Sequence, residues 1–245
     1  MDRKKSNIIT IANLKGGVGK STLAILFSYI LKDLGKKVLL VDMDSQNALT
    51  SYFGEGIINF NKNNIYNLLL GNVYFDQCIN KINEYIYIIP SHPSLDEFNY
   101  ESIDNKENLL SFCLDKNISS YNFDYILLDT PPSFSFILKN ALNATNHIIV
   151  PVQPETWSIE SLEILIQKII NKSYNISIVM NQFIKNRNIL KEVEDALYKR
   201  YSDYIKGKIH YYNSIKVFII NRLEPDSKSK YYKESKNALI NILNL

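Results

Sequence analysis

Six short apolar runs punctuate the chain, at 7–13, 37–42 (Lys-Val-Leu-Leu-Val-Asp), 85–90 (Tyr-Ile-Tyr-Ile-Ile-Pro), 124–129 (Asp-Tyr-Ile-Leu-Leu-Asp), 147–152 (His-Ile-Ile-Val-Pro-Val) and 176–180 (Ile-Ser-Ile-Val-Met). They are rich in β-branched and aromatic residues and nearly continuous in apolar character, as strands buried on both faces of a parallel sheet are. Between them lie helix candidates at 20–34, 46–52, 64–70, 106–117, 134–144, 157–172 and 188–201. Strand–helix alternation predicts right-handed crossovers and a doubly wound, mostly parallel α/β sheet flanked by helices. Gly35 is placed to cap the first helix, and the Asn-rich stretch 59–64 reads as a loop. A last helix is expected over 229–243, with Ala238, Leu239, Ile242 and Leu243 on one stripe and Lys230, Lys233 and Lys236 largely on the other. No repeat, linker or compositional break interrupts the pattern, so residues 1–245 are expected to form a single domain.

Composition sharpens this only in places. The 245 residues are 46% apolar and 22% charged, enough for one sizeable core. No apolar run approaches the roughly 18 residues of a membrane-spanning helix. The first run is too short for a signal-peptide core, so a soluble cytoplasmic protein is expected. Cys78 and Cys113 form no C-x-x-C pair and the three His are scattered, which argues against a metal cluster or disulfide framework. Charge is unevenly spread. Residues 1–180 carry 15 Lys+Arg against 18 Asp+Glu, whereas residues 181–245 carry 13 against 7. The basic end is either a solvated face or a surface for a polyanion.

The candidate chemistry begins at Asn-Leu-Lys-Gly-Gly-Val-Gly-Lys-Ser-Thr, residues 13–22, between the first strand and the first helix. A phosphate loop of the usual spacing has Gly where this one has Leu14, and an extra lysine, Lys15, stands five residues before the expected Lys20. Glycines allow a tight turn, and backbone N–H groups then converge at the positive end of a helix. Gly16, Gly17, Val18 and Gly19 would cradle phosphates and Lys20 would reach the terminal ones. The Ser21 hydroxyl would bind Mg²⁺ directly, and Thr22 would reach an inner phosphate. Asp42 and Asp44 follow the second strand and Asp129 ends the fourth. The ligand crevice of an open parallel sheet lies outside those strand ends. An acid there is often only a helix cap, but three beside a phosphate loop suit a nucleotide with its Mg²⁺ and an attacking water.

Lys-Gly-Gly-Val-Gly-Lys-Ser-Thr together with Val-Asp-Met-Asp-Ser-Gln and Leu-Leu-Asp-Thr-Pro-Pro-Ser resembles the ParA/MinD family of deviant Walker ATPases, within it the ParA (Soj-like) proteins that partition plasmids and chromosomes. The resemblance runs from about residue 7 to 180 and more weakly onward. It implies a P-loop NTPase fold, Mg²⁺-dependent ATP hydrolysis that is slow without a partner, and a dimer that sandwiches ATP. Lys15 would reach across that dimer to the partner's nucleotide, supplying a cation where transition-state charge develops. Asp44 would position or activate the attacking water, and Asp42 and Asp129 would support Mg²⁺ through water. Thr130-Pro131-Pro132 would sense the γ-phosphate, and Asn181 would read adenine. Residues 150–162 are similar to the family's P-x-Q-P-E stretch near the dimer interface. The chain departs from the pattern at Ser45, where Pro is usual, at Ser161, where Gly is usual, and at His210-Tyr211, where Pro-Arg is expected after a late strand near 205–210.

The resemblance also implies a job. The ATP-bound dimer would bind DNA without sequence preference, and a ParB-like partition protein would stimulate hydrolysis and release it at the nucleoid. Lys185, Arg187, Lys216, Arg222, Lys228 and Lys230 are the candidate phosphate contacts. The alternative is a MinD-like membrane-associated ATPase that positions cell division, for which 229–243 would have to lie on anionic lipid. That stripe lacks Trp and Phe, and packing against the sheet is the expected use of it, so no stable membrane association is expected. Nitrogenase-iron-protein relatives share the loop but need cysteine ligands, and Cys78 and Cys113 lie in apparent helices. About six residues precede the first strand, so no N-terminal helix-turn-helix is expected.

Overall fold

The computed structural model describes residues 6–169, 174–184 and 188–245. Its strands are β1 (Asn7–Ile11), β2 (Val38–Asp42), β3 (Asn80–Lys81), β4 (Ile86–Ile89), β5 (Tyr125–Asp129), β6 (His147–Val152), β7 (Asn175–Phe183) and β8 (Ile205–His210). Its helices are α1 (Lys20–Asp33), α2 (Ala48–Tyr52), α3 (Ile65–Leu69), α4 (Phe75–Cys78), α5 (Leu109–Asn117), α6 (Phe136–Ala144), α7 (Thr156–Ile169), α8 (Asn188–Tyr201), α9 (Asn213–Ile220) and α10 (Lys230–Leu243). The strands form one sheet in the order β3-β4-β2-β5-β1-β6-β7-β8, parallel throughout except for β3, which runs antiparallel to β4.

The unbroken apolar runs are explained by layers on both faces. In β2 every residue is buried. Val38 and Leu40 join the core beneath α1 and α10, while Leu39 and Val41 join the one beneath α3, α5 and α6. Successive side chains of a strand point to opposite faces, so covering both demands apolar residues at every position. A third core fills the space between β6, β7, α7 and α8. At the end of α1, Gly35 has φ 68° and its N–H bonds the Lys32 carbonyl at 2.9 Å, while the Lys36 N–H returns to Leu31. This is a left-handed helix stop.

All six expected strands are present. The apolar-run criterion passes over β8, whose Ile-Lys-Gly-Lys-Ile-His sequence has only Ile209 buried, as suits a lysine-bearing sheet edge. It also passes over the two-residue β3. The helix expected from residue 46 begins at Ala48, because the chain first turns on Asp44. Asn47 N–H donates to the Asp44 carbonyl at 2.9 Å, and Asn47 takes φ 56°. The 229–243 stripe is used inside the fold. Ala238, Leu239 and Ile242 are buried, and α10 lies on β8 and α1. Burying two such aliphatic side chains contributes roughly 1.5–3 kcal/mol each. A Cβ on Gly207 of β8 would fall 2.3 Å from the Cβ of Ala238, so α10 approaches the sheet as closely as glycine allows.

Candidate functional site

The chain runs from β1 outward through β2 to β4, then returns through β5 and continues on the other side with β6, β7 and β8. The reversal lies at the centre of the sheet, and a crevice opens there outside the carboxyl ends of the strands. Residues 13–22, Asp44 and Gln153 follow those ends, Asp42 and Asp129 are the last residues of β2 and β5, and Asn181 lies near the end of β7.

The glycine loop is held from outside by side-chain amides. Asn13 is fully buried; its amide donates to the Pro151 carbonyl (2.7 Å) and its Oδ1 accepts from Lys15 N–H (2.9 Å) and Ser161 Oγ (2.7 Å). Ser161 thus has a positive use at a position where the resemblance leads one to expect Gly. Gln153 and Gln182 both donate to the Gly17 carbonyl, at 2.9 and 3.1 Å, and Asn181 Nδ2 donates to Val18 O at 2.8 Å. With these carbonyls turned outward and Gly17 and Gly19 at φ 75° and 94°, the loop's N–H groups are free to face an anion. The N-terminus of α1 carries no side-chain cap and no acid in its first turn. Residue 19 must be glycine on two counts, since its Cβ would fall 2.4 Å from Asn181 Nδ2. Lys20 is buried, and that burial lowers its pKa against the opposing pull of Asp129 and Asp44.

The acids divide into two kinds. Asp42 and Asp129 are opposite one another in the β2–β5 register and both are fully buried. Asp42 Oδ2 accepts from Thr50 N–H (2.8 Å) and Thr50 Oγ1 (2.7 Å), and its Oδ1 accepts from Asp44 N–H (3.2 Å). Thr50 Oγ1 in turn accepts from Ser91 N–H at 2.8 Å. Asp42 therefore ties α2 and the Asp44 turn to the sheet. Asp129 has no hydrogen-bond partner for either oxygen among the described residues. Burial, then the charge of Asp42, push its carboxyl up to about 8, with the Ser21 hydroxyl and Lys20 offsetting part of this. Burial pushes Asp42 up to about 6, with the Thr50 bonds opposing. A fully buried, unpartnered carboxyl beside Ser21 and Lys20 suits a hydrated divalent cation. Asp44 is partly exposed at the turn, its Oδ1 accepting from Gln46 N–H at 3.0 Å. Thr130 is buried and donates to Ile11 O at 2.8 Å, fixing the start of the Pro131-Pro132 segment against β1.

Lys15 lies within its own chain. Its ammonium is paired with the Glu155 carboxylate and donates to Ser158 Oγ at 3.1 Å. Both partners belong to the 150–162 stretch.

A cavity of about 210 Å³ adjoins the loop, lined by Thr22, Asn181 and Gln182 on one side and by His210 to Tyr212 and the apolar face of α9 on the other. Asn181 keeps Oδ1 for this cavity, its Nδ2 being engaged by the loop. Of the six basic residues expected to touch a polyanion, Lys185 and Arg187 lie outside the described residues. Lys216, Arg222, Lys228 and Lys230 are all exposed on the stretch from α9 to the start of α10. Cys78 is buried in α4 and Cys113 half-buried in α5; burial raises these thiols to about 12 and about 11. Among the described residues no helix is long and apolar enough to cross a membrane.

Spacing did not reveal Gln153, Gln182, Thr50 or Ser158. Thr50 lies eight residues beyond Asp42, and the others lie more than a hundred residues from the groups they bond.

Comparison with known proteins places these residues in context. A family model for an AAA domain matches residues 6–185. The chromosome-partitioning ATPase Soj of Thermus thermophilus is 35% identical over 162 residues, 66% of this chain and 61% of that protein. The sporulation initiation inhibitor protein Soj of Bacillus subtilis is 31% identical over 71% of this chain and 69% of its own. The chain thus spans roughly three fifths to two thirds of the length of these curated relatives. A crystal structure from Borrelia burgdorferi B31, described as a plasmid partition protein bound to AMPPNP, superposes with a TM-score of 0.89 at 37% identity, covering 98% of this chain and 99% of that one.

Proposed function

This chain belongs to the ParA/MinD family of P-loop ATPases, in its Soj-like branch, and on that premise we propose that it is a plasmid- or chromosome-partition ATPase. The reading separates it from a membrane ATPase of the same family by one observation. The apolar stripe of α10 is buried against β8 and α1, whereas Lys216, Arg222, Lys228 and Lys230 are exposed together on one stretch. That stretch offers cations to phosphates, and the α10 stripe a lipid anchor would need is taken up inside the fold.

In this reading ATP binds with its phosphates on residues 16–22 and Lys20. Asp129 and the Ser21 hydroxyl would hold Mg²⁺, which would supply positive charge against the phosphates. Asp44, poised at the turn that Asp42 and Thr50 anchor, orients the attacking water. Lys15 completes the site of a second copy across a dimer, and to do so it must leave Glu155 and Ser158. Hydrolysis is thereby tied to association. The dimer binds DNA through the basic stretch, and a ParB-like partner accelerates turnover and release.

The test is co-sedimentation with random-sequence DNA and, separately, with anionic liposomes, without nucleotide, with ADP and with ATP plus Mg²⁺. The expected result is ATP-dependent retention on DNA only. Retention should be lost in Lys20→Ala and in a Lys216→Glu/Arg222→Glu double variant, and weakened by salt. Retention on liposomes, or DNA binding intact after charge reversal, would overturn the assignment of this surface.

A further inference from the structure

The cavity beside Thr22 has the makings of a selective wall. Glu234, on α10, does not line it, but takes three donors from residues that do. Its Oε2 accepts from the His210 backbone N–H at 2.9 Å, and its Oε1 lies 2.9 Å from His210 Nδ1 and accepts from the Tyr212 hydroxyl at 3.0 Å. A carboxylate only accepts, so this network assigns the imidazole proton to Nδ1 and leaves Nε2 of the neutral ring an acceptor. Nε2 has no partner among the described residues. Glu234 cannot drift, because the close approach of Ala238 to Gly207 seats α10 on β8 one turn further along. The remaining lining combines aromatic and aliphatic surface, chiefly Tyr211, Ile215 and Ile219, with the Asn181 and Gln182 amides and Lys216, whose ammonium lies over the Tyr211 ring. That composition suits a flat heteroaromatic ring recognised at its polar edge.

We propose that Glu234 is a positioning residue for nucleobase selection. By fixing His210 with its proton on Nδ1, it presents Nε2 as an acceptor that pairs with an exocyclic amino group and rejects an exocyclic oxo group. The selected nucleotide is ATP over GTP. The inference rests on the nucleoside-triphosphate reading of the loop. It adds to that reading a determinant from the C-terminal helix, remote in sequence from every phosphate-binding residue.

The experiment measures ATP and GTP affinities by calorimetry in mildly alkaline buffer with Mg²⁺, for the full chain and for Glu234→Gln, His210→Ala and Tyr212→Phe. The two ligands share their triphosphate, so damage that is only structural lowers both affinities by one factor and leaves their ratio unchanged. The wild type should prefer ATP by about tenfold or more, the scale of one well-made polar contact against one left unpaired. In Glu234→Gln the amide N–H can donate to Nδ1 and return the proton to Nε2, so the ratio should collapse toward or past parity. His210→Ala should also abolish the preference while triphosphate-driven binding survives. Tyr212→Phe leaves the His210 contacts in place and should keep the ratio. An equal loss for both nucleotides in Glu234→Gln, or an unchanged ratio in both the Glu234 and His210 variants, would refute the proposal and leave the phosphate site standing. Equal wild-type binding of ATP and GTP would refute it too. Failure of the wild type to bind either nucleotide would overturn the functional reading itself.

Discussion

Asp129 gives the sharpest test of the acid pair. Its carboxyl is fully buried, has no hydrogen-bond partner among the described residues and faces Asp42 across the β2–β5 register. Burial and that neighbouring charge raise it to about 8, against about 3.9 in an unfolded chain. Between those values the folded, nucleotide-free protein holds a proton there that the unfolded chain has released. Stability from this group is therefore complete below about pH 4 and is lost as pH rises toward 8. The limiting slope is about 1.4 kcal/mol per pH unit, so between pH 5 and pH 7 Asp129 alone should remove about 3 kcal/mol. Asp129→Asn has nearly the same shape and does not titrate. Urea unfolding in the presence of a chelator should show the wild type losing about 3 kcal/mol relative to the variant over that interval. Near neutral pH, binding of Mg²⁺ with ATP should expel about one proton in the wild type and none in Asp129→Asn, read by calorimetry in buffers of different ionisation enthalpy. Parallel stability profiles for the two proteins, or equal proton release, would refute the reasoning.

Two further tests address the seat of α10 and the resting place of Lys15. Gly207→Ala drives a Cβ into the backbone and side chain of Ala238. It should destabilise the fold by about 1–3 kcal/mol in urea titration, and Ala238→Gly should restore part of that in the double variant; a neutral Gly207→Ala would show that α10 can move outward freely. The Lys15–Glu155 pair is partly exposed, with side chains 24% and 55% accessible, so it holds Lys15 by no more than about 1 kcal/mol. Glu155→Gln should leave the melting temperature unchanged and, with one Lys15 released in each protomer, shift ATP-dependent dimerisation, followed by light scattering, to concentrations lower by up to about thirtyfold. A dimer weakened to the level of Lys15→Ala would instead make Glu155 part of the assembled site.

How far the sequence could be read depended on where each residue's partner lies. Strands β1, β2 and β5 were legible because helices cover both faces and nearly every position before the strand end is apolar, a property visible residue by residue. Strand β8 was not visible as an apolar run, because one of its sides meets solvent and its lysines break the run; only the family pattern pointed to a strand near 205–210. The phosphate loop was legible because its constraint is local: Gly17 and Gly19 need positive φ, and α1 begins at once after them. The roles of the surrounding polar residues are not local. Asp42 and Asp129 occupy the same place on adjacent strands and look alike in the sequence, yet Thr50 hydrogen-bonds one, whereas neither oxygen of the other has a hydrogen-bond partner among the described residues. That difference, set by a helix that starts only after the Asp44 turn, makes Asp42 a fastening and leaves Asp129 open to a ligand. The same holds for Lys15, legible as an unusual cation but not as one held by Glu155. In each case the motif fixes which groups are at the site, and a contact made by a distant segment decides which of their atoms remain free to react.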